Sequence, residues 1–505
     1  MEKLIIYWAR RDFRLLDNPA LTFATAKSKL ENTPLLPIFI LDDAILQDTS
    51  KNIGYCRKKY LSLILSDFSK NFPNFHIFLG GTGDIFQELS KSYQIELFFN
   101  DDIEPYAITR DNQISELIKK SGGNSTKCSD IMTVSLDTVS GSGTRYSVFS
   151  PFRNSVIDSF VNTPAIDAPD FTNILWKKDL GNSSLDKSLQ SQLISCQFDP
   201  QINLADKIFA LIDTPNILTL NQYWQINIDE IIPRQDISYW YKNEQEARQV
   251  FENFNVDKLL NYKFGRDSLS SDTENGGQTS KMSLALKWGF VSPRTLCDKI
   301  IKKHGISSIY SNQNIFHFIS ELIWREFYKY LLFHNPSLLD TEFQPKFRGT
   351  IKWETGNREK ELLNAWITGQ TGYPVVDAAM SQLNNTYWMH NRARMVVGSI
   401  LTKNFGIDWR HGQNYFRLML LDCDEASNNG GWQWSASVGA DPKPIRIFNP
   451  DLQSKNYDQN RLYQKYWLDK SFFQSPFTPL VPHSFARDNA LKRYNLSKSI
   501  NDRNY

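Results

Sequence analysis

The stretch Glu321-Leu322-Ile323-Trp324-Arg325-Glu326-Phe327-Tyr328 decides the fold of the C-terminal half of this chain. It lies inside Ile315–Leu332, whose apolar residues recur at helical spacing and predict a largely buried helix. Glu321, Trp324 and Arg325 stand at i, i+3 and i+4 and are expected to share one face. A carboxyl, a flat ring and a guanidinium on one patch suit a ligand site. An amphipathic helix with an internal Glu–Arg pair explains the same pattern.

The helical pattern extends in both directions from this stretch, from Tyr239 to about Leu468. It predicts further helices over Glu244–Asn253, Pro293–His304, Lys360–Thr368, Val376–Asn385, Met389–Phe405 and Trp409–Leu420. We therefore predict an all-α domain over residues 237–475 and a C-terminal tail over residues 476–505, with one helix near Ala486–Tyr494.

The first part of the chain has the periodicity of an α/β protein. Continuous apolar runs predict parallel strands buried on both faces, at Leu4–Ala9, Leu36–Leu41, His76–Leu79 and Ile95–Asn100. Helical stretches lie between them, at Ala20–Lys29, Arg57–Asn71, Ile85–Tyr93 and Thr109–Lys120. Residues 1–135 are thus predicted to form a doubly wound, Rossmann-like parallel-sheet domain, and residues 136–236 a long extended connector. Gly80–Gly83 lacks the GxGxxG spacing of a phosphate loop and is predicted to be a turn.

Composition narrows the class of protein. A chain of 505 residues with 41% hydrophobic and 22% charged residues is expected to form several globular domains. No segment approaches the ~20 apolar residues of a membrane span, and the first strand begins near Met1, so we expect a cytoplasmic protein. We also expect it to be a monomer. The five cysteines are scattered and predict neither a disulfide framework nor a zinc site. A net charge of +2 neither requires nor excludes nucleic acid.

Two later segments also carry ligand-binding chemistry. In Tyr387–Met395, Asn391, Arg394 and Met395 share one helical face and could hold a planar ligand, while His390 points away and is expected to be structural. In Leu421–Trp434, three side chains align at i, i+4 and i+8, namely Asp424, Asn428 and Trp432. The acidic residues there lack the spacing of a calcium loop and any nearby His or Cys, so we predict no metal.

Taken together, the motifs resemble the cryptochrome/photolyase family along most of the chain. They are Arg10–Pro19, Asn100–Tyr106, Arg110-Asp111, Thr279–Ser283, Ser292–Arg294, Glu321–Phe327, Thr371–Pro374, Trp388–Met395 and Asn428–Trp434. The resemblance is weakest in the connector.

The resemblance implies an FAD site in the helical domain. The side chains expected to hold its phosphates and ribityl chain are Tyr262, Thr279, Ser280, Met282 and Ser283. Arg394 would pair with Asp422 beside the flavin ring, and Asn428 would face the flavin nitrogen N5. The remaining expected FAD contacts are Arg325, Asn391 and Asp424.

The resemblance also implies light-driven repair of cyclobutane pyrimidine dimers in UV-damaged DNA. Photoexcited reduced FAD (FADH⁻) would pass an electron to a flipped-out dimer. Trp324 and Trp434 would be the walls on which the dimer rests, with Glu321, Asn391 and Met395 on its edges. This set resembles the class I branch, because the (6-4) enzymes carry a His pair at the place of Asn391 and the DASH type usually carries Tyr at the place of Trp434.

Further expectations concern electrons, DNA and light. Trp432, Trp409 and Trp353 match the family's tryptophan chain for photoreduction of FAD, although core packing alone would also explain them. The candidates for phosphate contacts are Arg266, Arg392 and Lys443. The N-terminal domain resembles an antenna domain, for which methenyltetrahydrofolate, a deazaflavin or no chromophore remain open.

Two other functions fit parts of the pattern. A blue-light receptor (cryptochrome) shares the FAD fold, but such receptors often have a long C-terminal tail and often lack the lesion-binding tryptophans. A dark redox flavoprotein would need a nicotinamide or quinone site, for which no motif is present. The chain also departs from the family, with Cys423 where glycine is common and a long segment over Asp267–Gln278.

Overall fold

The structure is a computed structural model that describes residues 1–42, 54–72, 74–177, 193–194, 204–212, 237, 240–271, 277–440, 445–474 and 477–501. Lys443, one of the three cations predicted to contact DNA, lies outside the described residues.

The N-terminal domain is built on a six-stranded sheet with the order β5-β4-β1-β2-β3-β6. Its strands are β1 (Glu2–Ala9), β2 (Leu35–Leu41), β3 (His76–Leu79), β4 (Tyr93–Asn100), β5 (Asn124–Cys128) and β6 (Leu193–Ile194). The first five strands are parallel, and only β6 runs antiparallel, against β3. The predicted doubly wound domain is confirmed. The predicted strands omitted β5, which has a mostly polar sequence at the sheet edge, and β6, which lies in the predicted connector.

The helices of this domain are α1 (Pro19–Glu31), α2 (Tyr55–Asn71), α3 (Thr82–Ser92) and α4 (Pro105–Lys120). Each overlaps a predicted helix. Helix α1 begins where the sequence favours a start, because the Asn18 side chain accepts a hydrogen bond from the Leu21 backbone N–H and Pro19 occupies the first turn. Of the predicted turn over Gly80–Gly83, Gly80 and Gly81 connect β3 to α3, whereas Thr82 and Gly83 already form the first turn of α3.

The connector differs from the extended segment that we expected. It contains α5 (Phe149–Asn162) and α6 (Leu204–Ile212) as well as β6. Helix α5 packs its apolar residues, Phe152 and Phe160 among them, into the core of the protein. Ser, Gly and Pro near its ends masked the helical period in the sequence.

The described residues that follow are mainly helical. The helices are α7 (Glu244–Asp257), α8 (Tyr262–Gly265), α9 (Met282–Trp288), α10 (Pro293–His304), α11 (Ser308–Ser311), α12 (Gln313–His334), α13 (Asn357–Thr368), α14 (Pro374–Thr386), α15 (Asn391–Ser399), α16 (Trp409–Met419), α17 (Glu425–Ser435), α18 (Pro450–Tyr457), α19 (Leu462–Trp467) and α20 (His483–Asn501). The predicted helix over Met389–Phe405 is interrupted, since Ile400–Asn404 winds as a π-helix.

A buried ionic network joins the two domains. Asp130 accepts hydrogen bonds from Arg14 and Arg294, each at 2.6 Å, and Asp17 accepts from the Arg294 Nε at 2.8 Å. Ser292, the N-cap of α10, also donates to Asp17. Two of the motifs, Arg10–Pro19 and Ser292–Arg294, therefore meet at the domain interface.

The C-terminal tail is docked against the helical domain through hydrogen bonds. The Tyr494 hydroxyl in α20 donates to the Ala436 carbonyl at 2.6 Å, and the Tyr373 hydroxyl donates to Val481 at 2.6 Å. None of the described helices combines the length and apolar content needed to cross a bilayer. The described residues also contain no cluster of three His, Cys, Asp or Glu side chains able to hold a metal ion.

Candidate functional site

A loop rich in hydroxyl groups, Thr279–Ser283, leads into α9. At its centre Lys281 has φ +54°, and its carbonyl accepts a hydrogen bond from the Tyr241 hydroxyl at 2.6 Å. Tyr241 in turn accepts from the Ala285 backbone N–H at 3.0 Å. The loop contacts the Tyr387–Met395 segment, because the Trp388 indole N–H donates to Ser283 Oγ at 3.4 Å.

The Leu421–Trp434 segment contacts both the Tyr387–Met395 segment and α9. The Leu421 backbone N–H donates to the Tyr387 carbonyl, and the Trp288 indole of α9 donates to the Leu421 carbonyl, both at 3.0 Å. The next residue, Asp422, accepts from Arg394 Nη2 at 2.8 Å, and its side chain is fully buried. Three segments that the sequence singled out separately therefore meet at one place in the helical domain.

Two buried polar atoms at this junction fit a polar cofactor. Thr279 Oγ1 and Asp422 Oδ1 are shielded from solvent and have no hydrogen-bond partner among the described residues. Buried polar groups are nearly always paired, and leaving one unpaired costs about 1–3 kcal/mol. The Thr279 hydroxyl lies in a loop suited to phosphate, and the Asp422 oxygen lies beside the half-buried Arg394 guanidinium. Both are therefore consistent with the predicted FAD contacts.

Glu321 and Tyr262 lie together in the structure. Glu321, on α12, forms an ion pair with Arg266, and the Arg266 guanidinium lies 5.5 Å from the centre of the Tyr262 ring. Arg392 pairs with Asp267 at 2.8 Å and stacks on Tyr457. Both described arginines that we predicted to bind DNA are thus paired with carboxylates in the protein alone.

The side chains predicted to form the walls and edges of the lesion site are partly exposed. Trp324 stacks in parallel on Phe149 of α5, with ring centres 3.6 Å apart and an interplanar angle of 9°. The Arg446 guanidinium lies 5.0 Å from the centre of the Trp434 ring. Asn391 is exposed, and its amide contacts the Met395 sulfur at 3.8 Å.

Arg325 does not join the patch that its spacing predicted. Its guanidinium donates to the Ile131 carbonyl at 3.4 Å, at the interface with the N-terminal domain. Asp424 lies at the same interface, where it caps α17 and forms an ion pair with Lys329 at 3.6 Å. Burial raises the pKa of Asp424, but Lys329, Arg325, Lys287 and Arg11 outweigh it and hold that pKa far below its usual range. That these two residues bind FAD stays a prediction.

The residues of the predicted tryptophan chain differ in burial. Trp432 and Trp409 are buried, and Trp353 is partly exposed. Trp432 packs against the backbone of α16 at Gly412, where a Cβ would lie 2.1 Å from the indole. Trp409 is the first residue of that same helix.

Three other positions have defined contacts. Asn428 is buried and donates to the Gln413 carbonyl at 3.0 Å. His390 caps α15 by accepting from the Arg392 backbone N–H, as the structural interpretation predicted. Burial raises the pKa of the Cys423 thiol to about 12, so this group stays protonated at neutral pH.

Sequence reasoning missed two long-range contacts of α12, one with the connector and one with the end of the N-terminal domain. Phe149 supports Trp324, and the buried Glu326 accepts hydrogen bonds from the Thr133 and Val134 backbone N–H groups at 2.7 and 3.3 Å. Neither contact has a local signal, because each joins residues more than 170 positions apart in the chain.

Family models and a curated relative match most of the chain. The family model described as DNA photolyase matches residues 5–170, and the model described as the FAD binding domain of DNA photolyase matches residues 318–472. A deoxyribodipyrimidine photo-lyase from Synechococcus sp. is 35% identical over 92% of this chain and 87% of its own length.

Solved structures show the same architecture. A class III photolyase from Agrobacterium tumefaciens aligns with a TM-score of 0.77 at 26% identity, covering 99% of this chain and 98% of its own. A Synechocystis cryptochrome aligns with a TM-score of 0.75, covering 97% of this chain and 99% of its own, but its 20% identity shows the fold alone.

The chain belongs to the cryptochrome/photolyase family. Within that family its curated relatives place it with the enzymes, the DNA photolyases, and it carries their FAD-binding domain.

We expect the substitution Asp422→Asn to weaken retention of FAD. The change keeps the shape of the side chain but removes the charge that pairs with Arg394 in a buried position, where charge-assisted hydrogen bonds contribute about 1.5–3 kcal/mol. FAD per protein, measured by absorbance after gel filtration, should fall severalfold. Asp488→Asn, at an exposed site, is the control and should retain wild-type FAD content. Equal FAD content in both variants would remove Asp422 from the cofactor site.

Proposed function

We propose that this protein repairs cyclobutane pyrimidine dimers in DNA by light-driven electron transfer, acting as a monomer of the class I type. The observation that carries the proposal is the grouping of Glu321 and Trp324 on α12. Glu321 is held by Arg266, and Trp324 is fixed by its stack on Phe149, yet both side chains remain partly exposed. Asn391, Met395 and Trp434 complete the predicted lesion site.

We assign FAD binding to the place where the Thr279–Ser283 loop, the Tyr387–Met395 segment and the Leu421–Trp434 segment meet. The Thr279–Ser283 loop would hold the phosphates, and the Arg394–Asp422 pair would lie beside the flavin ring, with Asn428 facing N5. When bound in its reduced form, FAD supplies an electron to the dimer in light and recovers it after the cyclobutane ring opens. No hydrolytic residue is needed for such chemistry.

Recognition of the lesion would rest on aromatic stacking. Extruding a base pair costs a few kcal/mol, and less for a damaged pair that stacks poorly. Stacking on aromatic side chains contributes about 1–3 kcal/mol per base, so Trp324 and Trp434 could offset much of that cost. Because Trp324 is already fixed in orientation by Phe149, little further entropy is lost when a base stacks on it.

The Arg266–Glu321 ion pair suggests how DNA would prepare the site. A phosphate near the lesion competes for the Arg266 guanidinium, which binds phosphate well. When Arg266 turns to the phosphate, Glu321 loses its partner and is free to hydrogen-bond the polar edge of the dimer. Arg392, held by Asp267, would exchange partners in the same way.

Two further parts of the protein would handle electrons and light. Trp432, Trp409 and Trp353 would carry electrons from the surface toward oxidised FAD. An antenna chromophore, either methenyltetrahydrofolate or a deazaflavin, would bind between the domains. There Arg11 and Lys287 line a small cleft that adjoins the carboxyl ends of the parallel strands, where ligands of doubly wound sheets bind.

Glu321→Ala should lower the yield of repaired dimers per absorbed photon severalfold while leaving FAD content unchanged. The reason is the loss of a charge-assisted hydrogen bond to the dimer, worth about 1.5–3 kcal/mol. Repair is measured on a thymine-dimer oligonucleotide under blue light, with dithionite-reduced protein at saturating concentration. Glu116→Ala, at an exposed position of α4, is the control. Wild-type yield from Glu321→Ala would exclude this role, and loss of FAD together with repair would make Glu321 a cofactor ligand.

Trp353→Phe should slow photoreduction of oxidised FAD at least tenfold and leave dimer repair by the pre-reduced protein intact. Phenylalanine nearly conserves the packing volume but is much harder to oxidise, so electron transfer from the surface would stop there. Flavin absorbance is followed under blue light with an external reductant. Trp467→Phe, also a partly exposed tryptophan of the helical domain, is the matched control. Equal photoreduction rates in the two variants would refute the assigned chain.

A further inference from the structure

The three tryptophans proposed to carry electrons meet around one helix, α16. Trp409 is its first residue, and the Trp432 indole packs on Gly412, which follows Trp409 at i+3 and so lies on the same helical face. Trp353 lies near the start of this helix, because the backbone N–H of the residue that follows it donates to the Gly406 carbonyl at 2.9 Å. The start of α16 therefore brings the three residues into one region.

The indole N–H groups of the two buried tryptophans have different surroundings. The Trp409 N–H donates to Glu342 Oε1 at 3.4 Å, and the Glu342 side chain is only 4% exposed. The Trp432 N–H is shielded from solvent and has no hydrogen-bond acceptor among the described residues. One indole therefore lies against a buried carboxylate, and the other does not.

Glu342 is held in place from two directions. Its carboxylate accepts a hydrogen bond from Arg410 Nη2 at 2.9 Å, and the backbone N–H of the residue after it donates to the Gln433 amide oxygen at 2.7 Å. Gln433 directly follows Trp432 on α17. The carboxylate that contacts Trp409 is thus fixed to the helix that carries Trp432.

The cluster of Glu342, Arg410 and Asp408 carries a net negative charge beside Trp409. The Arg410 guanidinium lies 4.6 Å from the centre of the Trp409 ring and also pairs with Asp408 at 2.9 Å. A cation over the ring opposes its oxidation, whereas the two carboxylates favour it. Glu342 has the larger effect of the two, because its side chain is buried and its charge is less screened than that of the more exposed Asp408.

We propose that Glu342 makes Trp409 easier to oxidise than Trp432 and so sets the direction of electron flow along the tryptophan chain. The inference rests on the proposed function, of which the chain is part, and assigns a role to a residue outside that chain. Glu342 exchanges no electron itself. It acts through Trp409 and is therefore a positioning residue.

Each step of this flow moves one electron. Trp432 gives an electron to the light-excited flavin and recovers one from Trp409, so the positive charge moves to the ring that the carboxylate stabilises. Trp353 then returns an electron to Trp409, and an external thiol, which is oxidised, returns one to Trp353. The flavin gains the electron that the thiol loses.

Glu342→Gln should lower the yield of long-lived tryptophan radical by about tenfold, the order of change in an equilibrium that loss of one charge-assisted hydrogen bond produces. Without the carboxylate the positive charge stays on Trp432, where it recombines with the flavin. Transient absorption after a blue laser flash on the oxidised, FAD-loaded protein measures this yield. Glu359→Gln is the matched control, because this carboxylate pairs with His411 of the same helix at 2.9 Å, and it should give the wild-type yield. Glu342→Asp keeps the charge and should retain most of the yield.

Arg410→Gln separates an electrostatic role from a structural one. This substitution removes the cation over the Trp409 ring and leaves both carboxylates, so the yield should equal or exceed that of the wild type. If Glu342 only maintained packing, loss of either partner of the ion pair would lower the yield alike. A yield below that of the wild type in Arg410→Gln would overturn the inference, even where Glu342→Gln folds poorly. FAD content and circular dichroism verify folding, and repair by the pre-reduced protein, which needs no chain, should be that of the wild type in every folded variant.

The contact itself is measured in darkness. In FAD-loaded protein with isotope-labelled tryptophan, the indole N–H resonance of Trp409 is identified by its loss in Trp409→Phe. Glu342→Gln should shift this resonance upfield, because a neutral amide accepts a weaker hydrogen bond than a carboxylate does. Glu359→Gln should leave the resonance in place. A resonance that does not move in Glu342→Gln would remove the carboxylate from Trp409 and overturn the inference.

Failure of this inference and failure of the proposed tryptophan chain give different results. If Trp409→Phe loses the long-lived radical but Glu342→Gln matches the wild type, the chain stands and Glu342 does not direct it. If Trp409→Phe itself matches the wild type, the proposed chain fails and the inference fails with it.

Discussion

The whole arrangement depends on one buried ionic network at the domain interface, in which Asp17 and Asp130 hold Arg14 and Arg294. Burial raises the pKa of Asp130, but the two arginines lower it further than burial raises it, so the group stays ionised. Removing one partner from such a buried pair typically costs about 3–5 kcal/mol, which means the four groups are tolerated only together. They come from both domains, so the network fixes how the domains dock. At this domain interface, residues 131–134 lie against α12, and α5 packs beside Trp324.

The helical domain then brings together, at the candidate cofactor site, segments that are distant in sequence. Three hydrogen bonds join these segments. Trp388, before α15, donates to Ser283. Leu421, before α17, donates to Tyr387 and accepts from Trp288 of α9. The site contains the Arg394–Asp422 ion pair, in which Asp422 is fully buried, and among the described residues Thr279 Oγ1 and Asp422 Oδ1 have no hydrogen-bond partner. A polar ligand that satisfies these atoms would contribute to stability as well as to chemistry. Trp324 and Trp434 remain partly exposed.

Much of this could be predicted from the sequence, because local periodicity and motif spacing carry it. The four apolar strands, most helices and the candidate residues on α12, α15 and α17 follow from patterns within 20 residues. The pattern could not show β5, whose polar residues lie at a sheet edge, or α5, whose helical period is hidden by Ser and Pro. Helical spacing also predicted that Arg325 lies beside Glu321. Spacing determines the face of the helix on which a side chain starts, but a long side chain such as arginine can carry its guanidinium to another place. Contacts such as Phe149 with Trp324 are set by tertiary packing and have no local signal.

The most direct test of the account is repair of a thymine-dimer oligonucleotide by the purified, reduced protein, in blue light and in darkness. We predict that thymines are restored in light, with many turnovers per protein, and that the dimer persists in the dark. Binding and photoreduction of FAD with an intact dimer after illumination would contradict the repair function and favour a light receptor with a protein partner. Repair that proceeds equally in darkness would contradict light-driven electron transfer itself.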